Sequence, residues 1–192
     1  MDRKDYNKVK FTLKGRIFFP KLFVPEASDL NPRKKYSTLF AWDMGSQKEI
    51  MDAIAKHIRI GIDGQLKGIP EASLQLPIKT WGKYQRKDGK PNADFLKDMH
   101  WMNVSSGEQF APMVIDSNKQ QVIDPVEVWS GRNAAVNFSF WVYNNKNYGI
   151  SANLNAVMLL DGGEKVVGGV NVDEAFGSFA SDTTTANAGD FF

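Results

Sequence analysis

Along this chain the apolar positions recur mostly at every second residue, the period of a half-buried strand rather than of a helix. Phe11, Leu13, Gly15, Ile17 and Phe19 alternate with Lys10, Thr12, Lys14, Arg16 and Phe18, so the first strand carries one apolar and one basic face. Pro20 and Pro25 are expected to end it, because proline cannot donate to a ladder. A loop over 29–35 leads into a second strand over 36–42, with Tyr36, Thr38, Phe40 and Trp42 on one side and Ser37, Leu39 and Ala41 on the other. The longest strand runs over 134–143. Val136, Phe138, Phe140 and Val142 share its apolar face, and Ala135, Asn137, Ser139, Trp141 and Tyr143 form the opposite one. Further strands are predicted over 74–86, 100–104 and 148–160. Turn signals stand at Lys87-Asp88-Gly89-Lys90, Asp116-Ser117-Asn118, Ser130-Gly131 and Asn144-Asn145-Lys146-Asn147.

One segment breaks the period of two. Ser46 followed by Glu49 has the spacing of a capping box, Ile50, Ile54 and Ile58 recur four apart, and Gly61 suits a helix C-cap. This predicts one amphipathic helix of about three turns. One helix among many short strands predicts a mainly β chain, an OB-fold-like antiparallel β-barrel, closed or nearly so. The expected division is a domain over 1–169 and a flexible acidic tail over 170–192, since 181–189 is too poor in apolar residues to fold.

Charge sharpens the picture. The formal net charge of +2 conceals a basic body and an acidic tail. Residues 1–165 hold all 24 Lys and Arg against 18 of the 22 Asp and Glu, a net of +6. Beyond them come only Asp173, Glu174, Asp182 and Asp190, and the chain finishes Asp190-Phe191-Phe192. Such an asymmetry points to a polyanion-binding surface carrying its own tethered competitor. No apolar run approaches the length of a membrane span and no leader pattern opens the chain. There are no cysteines. A chain of this kind is expected in the cytoplasm, with no membrane partner.

The polar strand faces contain the residue types that unpaired nucleic acid needs. Lys10, Lys14 and Arg16 stand on the first strand, and Asn137, Ser139, Trp141 and Tyr143 on the long one. Trp101 and Asn103 oppose the apolar side of theirs. Between them Lys79, Trp81, Lys83, Tyr84, Arg86 and Lys87 interleave cations with aromatics. Cations neutralise phosphates and release counterions, and aromatic faces stack on bases at roughly 1–3 kcal/mol each. The phosphate candidates are Lys10, Lys14, Arg16, Lys79, Lys83, Arg86 and Arg132. The stacking candidates are Trp81, Tyr84, Trp101, Trp141 and Tyr143. Each tryptophan can equally be a core residue, and the Tyr36/Phe40/Trp42 side can be the inward one.

Enzymatic signatures are missing. There is no phosphate-binding Gly-rich motif ending in Gly-Lys-Ser/Thr, and the glycine pairs Gly162-Gly163 and Gly168-Gly169 lack dinucleotide-fold spacing. His57 sits beside the helix's apolar stripe and His100 opens a strand, so both are expected to be structural. The turn aspartates Asp116, Asp124 and Asp161 are in their usual backbone-bonding role. No cofactor, metal or catalytic residue is expected. An assembly protein with a docking tail is the alternative, though it leaves the cation–aromatic segment without a purpose. A metal-dependent annealing or nuclease-like enzyme ranks behind both.

The chain resembles bacteriophage single-stranded-DNA-binding proteins, the OB-fold class with an acidic tail and terminal phenylalanine. The resemblance rests on Gly15-Arg16-Ile17-Phe18-Phe19-Pro20, on Lys35-Tyr36-Ser37 ahead of the helix, on Asp124-Pro125-Val126-Glu127-Val128-Trp129-Ser130-Gly131, and on Tyr148-Gly149-Ile150-Ser151 to Leu154-Asn155. It implies coating of single-stranded DNA, without strong sequence preference, during phage DNA replication, recombination and repair in the host cytoplasm. It also implies that a tip matching Asp190, Phe191 and Phe192 docks on replication or recombination proteins. Asp190 is the sole acid among the last ten residues, which favours partner docking over electrostatic competition. A tail that docks on neighbours would also permit a homodimer.

Overall fold

The computed structural model describes residues 2–28, 31–86, 89 and 91–166. The tail over 170–192, with Asp190, Phe191 and Phe192, lies outside the described residues, as do Lys87, Asp88 and Lys90 of the predicted turn. Among the described residues the elements are α1 (Arg3–Lys8), β1 (Lys10–Ser28), β2 (Asn31–Asp43), α2 (Lys48–Gln65), β3 (Lys79–Thr80), β4 (Met99–Gly107), β5 (Met113–Ile115), β6 (Arg132–Asn144) and β7 (Tyr148–Gly163).

Five strands close a barrel in the order β4-β2-β1-β6-β7. Four of the five seams are antiparallel; the fifth, β4 with β7, is parallel through Val104↔Ala152 and Ser105↔Asn153. This is the OB-fold-like barrel that the period-two pattern predicts. β3 extends it beside β4, and β5 lies parallel to β7.

The long strand forms because its alternate residues are branched or aromatic and can all be buried together. Ala134, Val136, Phe138, Phe140 and Val142 fill the interior with Leu13, Ile17, Phe40, Trp42, Met102 and Leu154. Thus the Phe40/Trp42 side of β2 does face inward. Outside, Asn137 donates to Thr12 Oγ1 at 2.8 Å and accepts from Asn155 at 3.1 Å, which links β1, β6 and β7 across their solvent face.

Several expectations need correction. Pro20 and Pro25 do not end β1, which continues to Ser28. Its pairing with β6 stops at Ile17↔Arg132, so beyond that point only β2 is its partner, and one edge is free for residues that cannot donate. The register shifts between Phe18 and Lys21 and again before Glu26 absorb the irregularity. The capping box does not form. Ser46 Oγ donates to the Asp43 carbonyl at 2.7 Å, and the N-cap is Gln47, in the left-handed region at φ 52°. Gln47 accepts from Lys14 N–H and donates to Lys14 C=O, both at 2.8 Å, so its amide pairs with β1 as a strand would.

Gly61 is not a C-cap either, because α2 runs on to Gln65. A Cβ there would lie 2.7 Å from the Tyr6 hydroxyl, so glycine serves close packing instead. Tyr6 belongs to α1, a second helix too short to leave a periodic signal. Its ring stacks on His57 of α2 at 4.0 Å and 15°. Arg3 ties α1 to β6 by donating to the Val142 carbonyl at 2.8 Å. The strand expected over 74–86 shrinks to Lys79–Thr80, with a single bridge from Gln75 to Gly149.

Gly15 stands just before Arg16, where β1, still paired to β6, takes up β2 as a second partner. A Cβ built there would stand 2.2 Å from the Ala41 carbonyl oxygen and 2.9 Å from the Phe40 ring. The close neighbour is backbone, which cannot rotate away. Gly15→Ala should therefore lower stability by about 1–3 kcal/mol, measured as a shift of the urea-unfolding midpoint at unchanged slope.

Candidate nucleic-acid interface

The outer faces of β2 and β4 meet in the register Ser37↔Ser105, Leu39↔Asn103 and Ala41↔Trp101. At the Trp101 end the long connection between α2 and β4 folds back over the barrel. It has to cover something, because Phe18, Ala41 and Trp101 are apolar and point out of the main core. Together with Leu96 and Met99 they form a second buried cluster, on which Leu39, Trp81, Tyr84 and Phe95 pack. Trp101 is only 2% exposed, with the edge of Tyr84 against it at 6.0 Å. Its expected part as a stacking surface is therefore corrected: its ring is sealed under the aromatic layer and supports Tyr84 from beneath.

Beside this covered patch lies an open groove of about 700 Å³ between the segment 74–84 and the start of β7. Lys79, Lys83, Tyr84, Asn103, Tyr143 and Ser151 line it, together with apolar residues. Its described lining holds two lysines and no carboxylate. The Lys79 ammonium sits over the Tyr84 ring, 4.3 Å from its centre, a cation–π contact that holds charge and aromatic face side by side. Tyr143 donates to Gln75 Oε1 at 3.2 Å, and burial pushes its phenol above the usual value. Trp141 stands two residues before it on the same face of β6, 40% exposed, with the two rings 5.5 Å apart.

The register places the hairpin turns at opposite ends of this face. Lys35 of β2 pairs with Gly107 at the end of β4, so the β1–β2 hairpin with Arg33, Lys34 and Lys35 lies beyond that end. Tyr148 starts β7 four residues before the Ala152↔Val104 pair, which puts the β6–β7 turn and its Lys146 level with the start of β4. Loops between the first two and last two strands of such barrels commonly flank oligonucleotides.

The remaining candidates are distributed less favourably. Lys14 and Arg16 line a second groove that also contains Asp43, Asp161 and Glu164, so its carboxylates outnumber its cations. Arg16 pairs with Glu164 at 3.8 Å and donates to Met99 Sδ at 3.6 Å. Lys10 is exposed opposite Ser139 on the outer face of β1 and β6, apart from both grooves. Arg132 is engaged with Glu127 at 3.0 Å and with the Leu160 carbonyl at 3.4 Å, bracing the turn before β6. Trp81 is half-buried in the aromatic layer and Arg86 is exposed just beyond it. Gln75, Asn103 and Ser151 also line the open groove, although none was a candidate. Only their phase on β4 and β7 could have signalled Asn103 and Ser151, and a polar residue on a strand's outer face is ordinary. Gln75 lies in the segment expected to be a strand and forms a single bridge to Gly149. The run Arg33-Lys34-Lys35 is plain in the sequence, but as a loop rather than as the arm of a hairpin. Among the described residues no group of three or more His, Asp or Glu is placed to hold a metal, and no helix is long and apolar enough to cross a membrane.

The family model of the Enterobacter phage Enc34 ssDNA-binding protein matches residues 8–191. The chain belongs to this family. The match runs through the barrel and on into the tail. Among solved structures, the Enc34 single-stranded DNA-binding protein in complex with ssDNA has a TM-score of 0.67 at 18% identity, over 82% of this chain and 89% of that one. The same phage protein without ssDNA gives 0.65 at 19% identity, over 87% and 89%. The single-stranded DNA binding protein gp2.5 of bacteriophage T7 gives 0.61 at 15% identity, over 91% and 96%. At these identities the likeness is one of fold. No curated protein matches the sequence.

Within this Enc34-type barrel the two histidines respond to pH in the same direction. His57 lies below its usual value because it is buried, only partly offset by the Tyr6 backbone. His100, its Nδ1 3.1 Å from Thr80 Oγ1, is lowered by burial and then by the Lys83 charge. The unfolded chain therefore binds more protons than the folded one below the ordinary value of 6.5, and stability is lost as pH falls through that region. The melting temperature should drop on acidification from neutrality, and His57→Phe should flatten the drop.

The two tryptophans of this face should separate cleanly. Trp101→Ala should cost about 3–5 kcal/mol of stability, as an emptied core site does. Trp141→Ala should leave the unfolding midpoint nearly unchanged. Chemical denaturation of both variants checks this.

Proposed function

We propose that this chain binds single-stranded DNA without strong sequence preference, laying unpaired bases along the open groove and its Trp141–Tyr143 flank. The observation that carries the reading is the groove's makeup: Lys79 and Lys83, no carboxylate, and aromatic rings at both walls, on the outer face of a barrel in the Enc34 ssDNA-binding family. Lys79, Lys83 and Arg86 supply cations for phosphates, with Lys10, Lys14 and Arg16 as more distant contributors to the field. Tyr84, Trp141 and Tyr143 offer ring faces, and Trp81 an edge of the same layer. Asn103 and Ser151 can hydrogen-bond to sugar or base without selecting a sequence. The Enc34 protein is described in complex with ssDNA, and the T7 protein is described as binding it. Those descriptions favour the same ligand here.

The reading is of a binding protein and not an enzyme, one that coats single strands in the host cytoplasm during phage DNA replication, recombination and repair. Its domain over 1–169 would carry the DNA, and its tail over 170–192 would dock on replication or recombination proteins through Asp190, Phe191 and Phe192. The same tail would permit a homodimer.

Titration against fluorescent oligo-dT and a matched duplex, following tryptophan quenching at several salt concentrations, tests the ligand. Single strands should bind more tightly, with quenching. The joint variant Trp141→Ala/Tyr143→Ala should weaken binding, and Lys79→Ala/Lys83→Ala should flatten the log K against log salt slope by about 0.7 for each phosphate left without its cation. Preference for duplex, or wild-type affinity in the Trp141/Tyr143 variant, would sink the reading. Salt-independent oligomers without bound nucleic acid would instead favour an assembly protein.

A further inference from the structure

Phe19 lies in the bulge of β1, and neither that bulge nor the groove accounts for an exposed aromatic there. It sits in β1 with φ 50°, a left-handed backbone that a bulky residue rarely adopts. It also precedes Pro20, which restricts it further. Glycine or asparagine would satisfy the bend with less strain. Burial does not compensate, because Phe19 is 52% exposed. The conformation is nonetheless held firmly. Ser130 Oγ accepts from the Phe19 N–H at 3.2 Å, and the neighbouring Ile17 carbonyl accepts from Gly131 N–H at 2.7 Å.

The ring so displayed is not isolated. Phe18 is buried in the second cluster and stacks on Phe95 at 4.4 Å and 21°. Phe19 lies at the side of the same Phe95 ring, 6.1 Å away. Phe95 packs on the cluster that also carries Trp81 and Tyr84, and Tyr84 lines the open groove. The rings on this cluster thus form a layer of two groups over one buried base, Tyr84 with Trp101 at the groove and Phe18 and Phe19 with Phe95 at the other end. The Arg16 guanidinium stands at this end, 5.9 Å from the centre of the Phe18 ring.

We propose that Phe19 is a second base-stacking platform for single-stranded nucleic acid, at the far end of this layer from Trp141 and Tyr143. It rests on the function proposed above. Strain maintained at an exposed aromatic contributes nothing to folding, and such outliers gather at ligand clamps. The occupant is an unpaired base, because an exposed ring beside the Arg16 cation, on the same buried cluster that carries Tyr84 at the groove, offers the pairing of stacking face and charge that the groove itself offers. A strand leaving the groove past Tyr84 meets Phe19 next, so the bound length is set by both platforms.

The test uses the full chain with Phe19→Gly and Phe19→Trp, titrated against fluorescent oligo-dT beside the wild type. Phe19→Gly relieves the backbone and should melt at or above the wild-type temperature. Its affinity should fall between about 5- and 150-fold, the worth of one stacked base. Phe19→Trp should keep the wild-type affinity and add tryptophan quenching on binding. Wild-type affinity in Phe19→Gly overturns the proposal, as does quenching in Phe19→Trp no greater than in the wild type. Should Phe19→Gly not fold, the added quenching in Phe19→Trp alone decides. A wild type that does not prefer single strands would instead bring down the proposed function, and this inference with it.

Discussion

The whole molecule depends on how β1 divides itself between two neighbours. Its first half is paired to β6 and its second to β2, and only Arg16 and Ile17 are held on both sides. A strand that changes partners over two residues has to bend sharply, and bending brings backbone against backbone. Gly15 is where that approach occurs, with the Ala41 carbonyl where a side chain would otherwise start. Without this bend β2 could not carry β4 round to β7, and the short parallel seam at Val104 and Ser105 would not close. Closure removes two sheet edges and lets every barrel strand bury one face.

Closure also leaves an outer face, and the chain treats its two ends differently. Near Ala41 and Trp101 the residues are apolar, and Trp81, Tyr84, Ala93, Phe95 and Leu96 are packed on them. Near Ser37, Asn103 and Ser105 they are small and polar, and the surface stays open. The groove lies at the boundary of these two regimes. Its aromatic wall is therefore the exposed margin of a packed cluster rather than a set of separate rings. Tyr84 is supported below by Trp101, and Trp81 and Phe95 pack on the same buried cluster. Rings anchored this way lose little rotamer freedom when a base stacks on them, which lowers the entropy cost of binding.

The strands that alternate strictly were legible in the sequence. β6 and β2 were placed in the right phase because β-branched and aromatic residues at every second position allow only one inward face. What escaped was decided by contacts far apart in the chain. The bulged continuation of β1 past Pro20 depends on β6 stopping at Ile17. The start of α2 at Lys48 depends on Gln47 being held by Lys14, thirty-three residues away. The burial of Trp101 depends on a loop whose own pattern suggested a strand. At the candidate site, the sequence identified Lys79, Lys83, Tyr84 and Tyr143, which do come together. It could not show that Arg132 is occupied by Glu127, or that Lys14 and Arg16 share a groove with carboxylates. Charge signs can be read from a sequence, but which charges neutralise one another cannot.

That last distinction bears on how a polyanion would approach. A phosphate entering the second groove meets Asp43, Asp161 and Glu164 beside Lys14 and Arg16, so much of the attraction there is already satisfied internally. In the groove by Tyr84 the lining lysines face no carboxylate. The net +6 of residues 1–165 supplies a long-range attraction to the whole face, but salt at physiological strength screens it within about 8 Å. Inside that distance the local balance of charge decides. On the proposed reading a strand would be drawn to the body in general and retained where cation and ring are adjacent, at Lys79 over Tyr84. A surface that merely collected lysines would bind any polyanion, duplex included. A ring face beside the retaining cation would restrict tight binding to strands whose bases are free to turn inward.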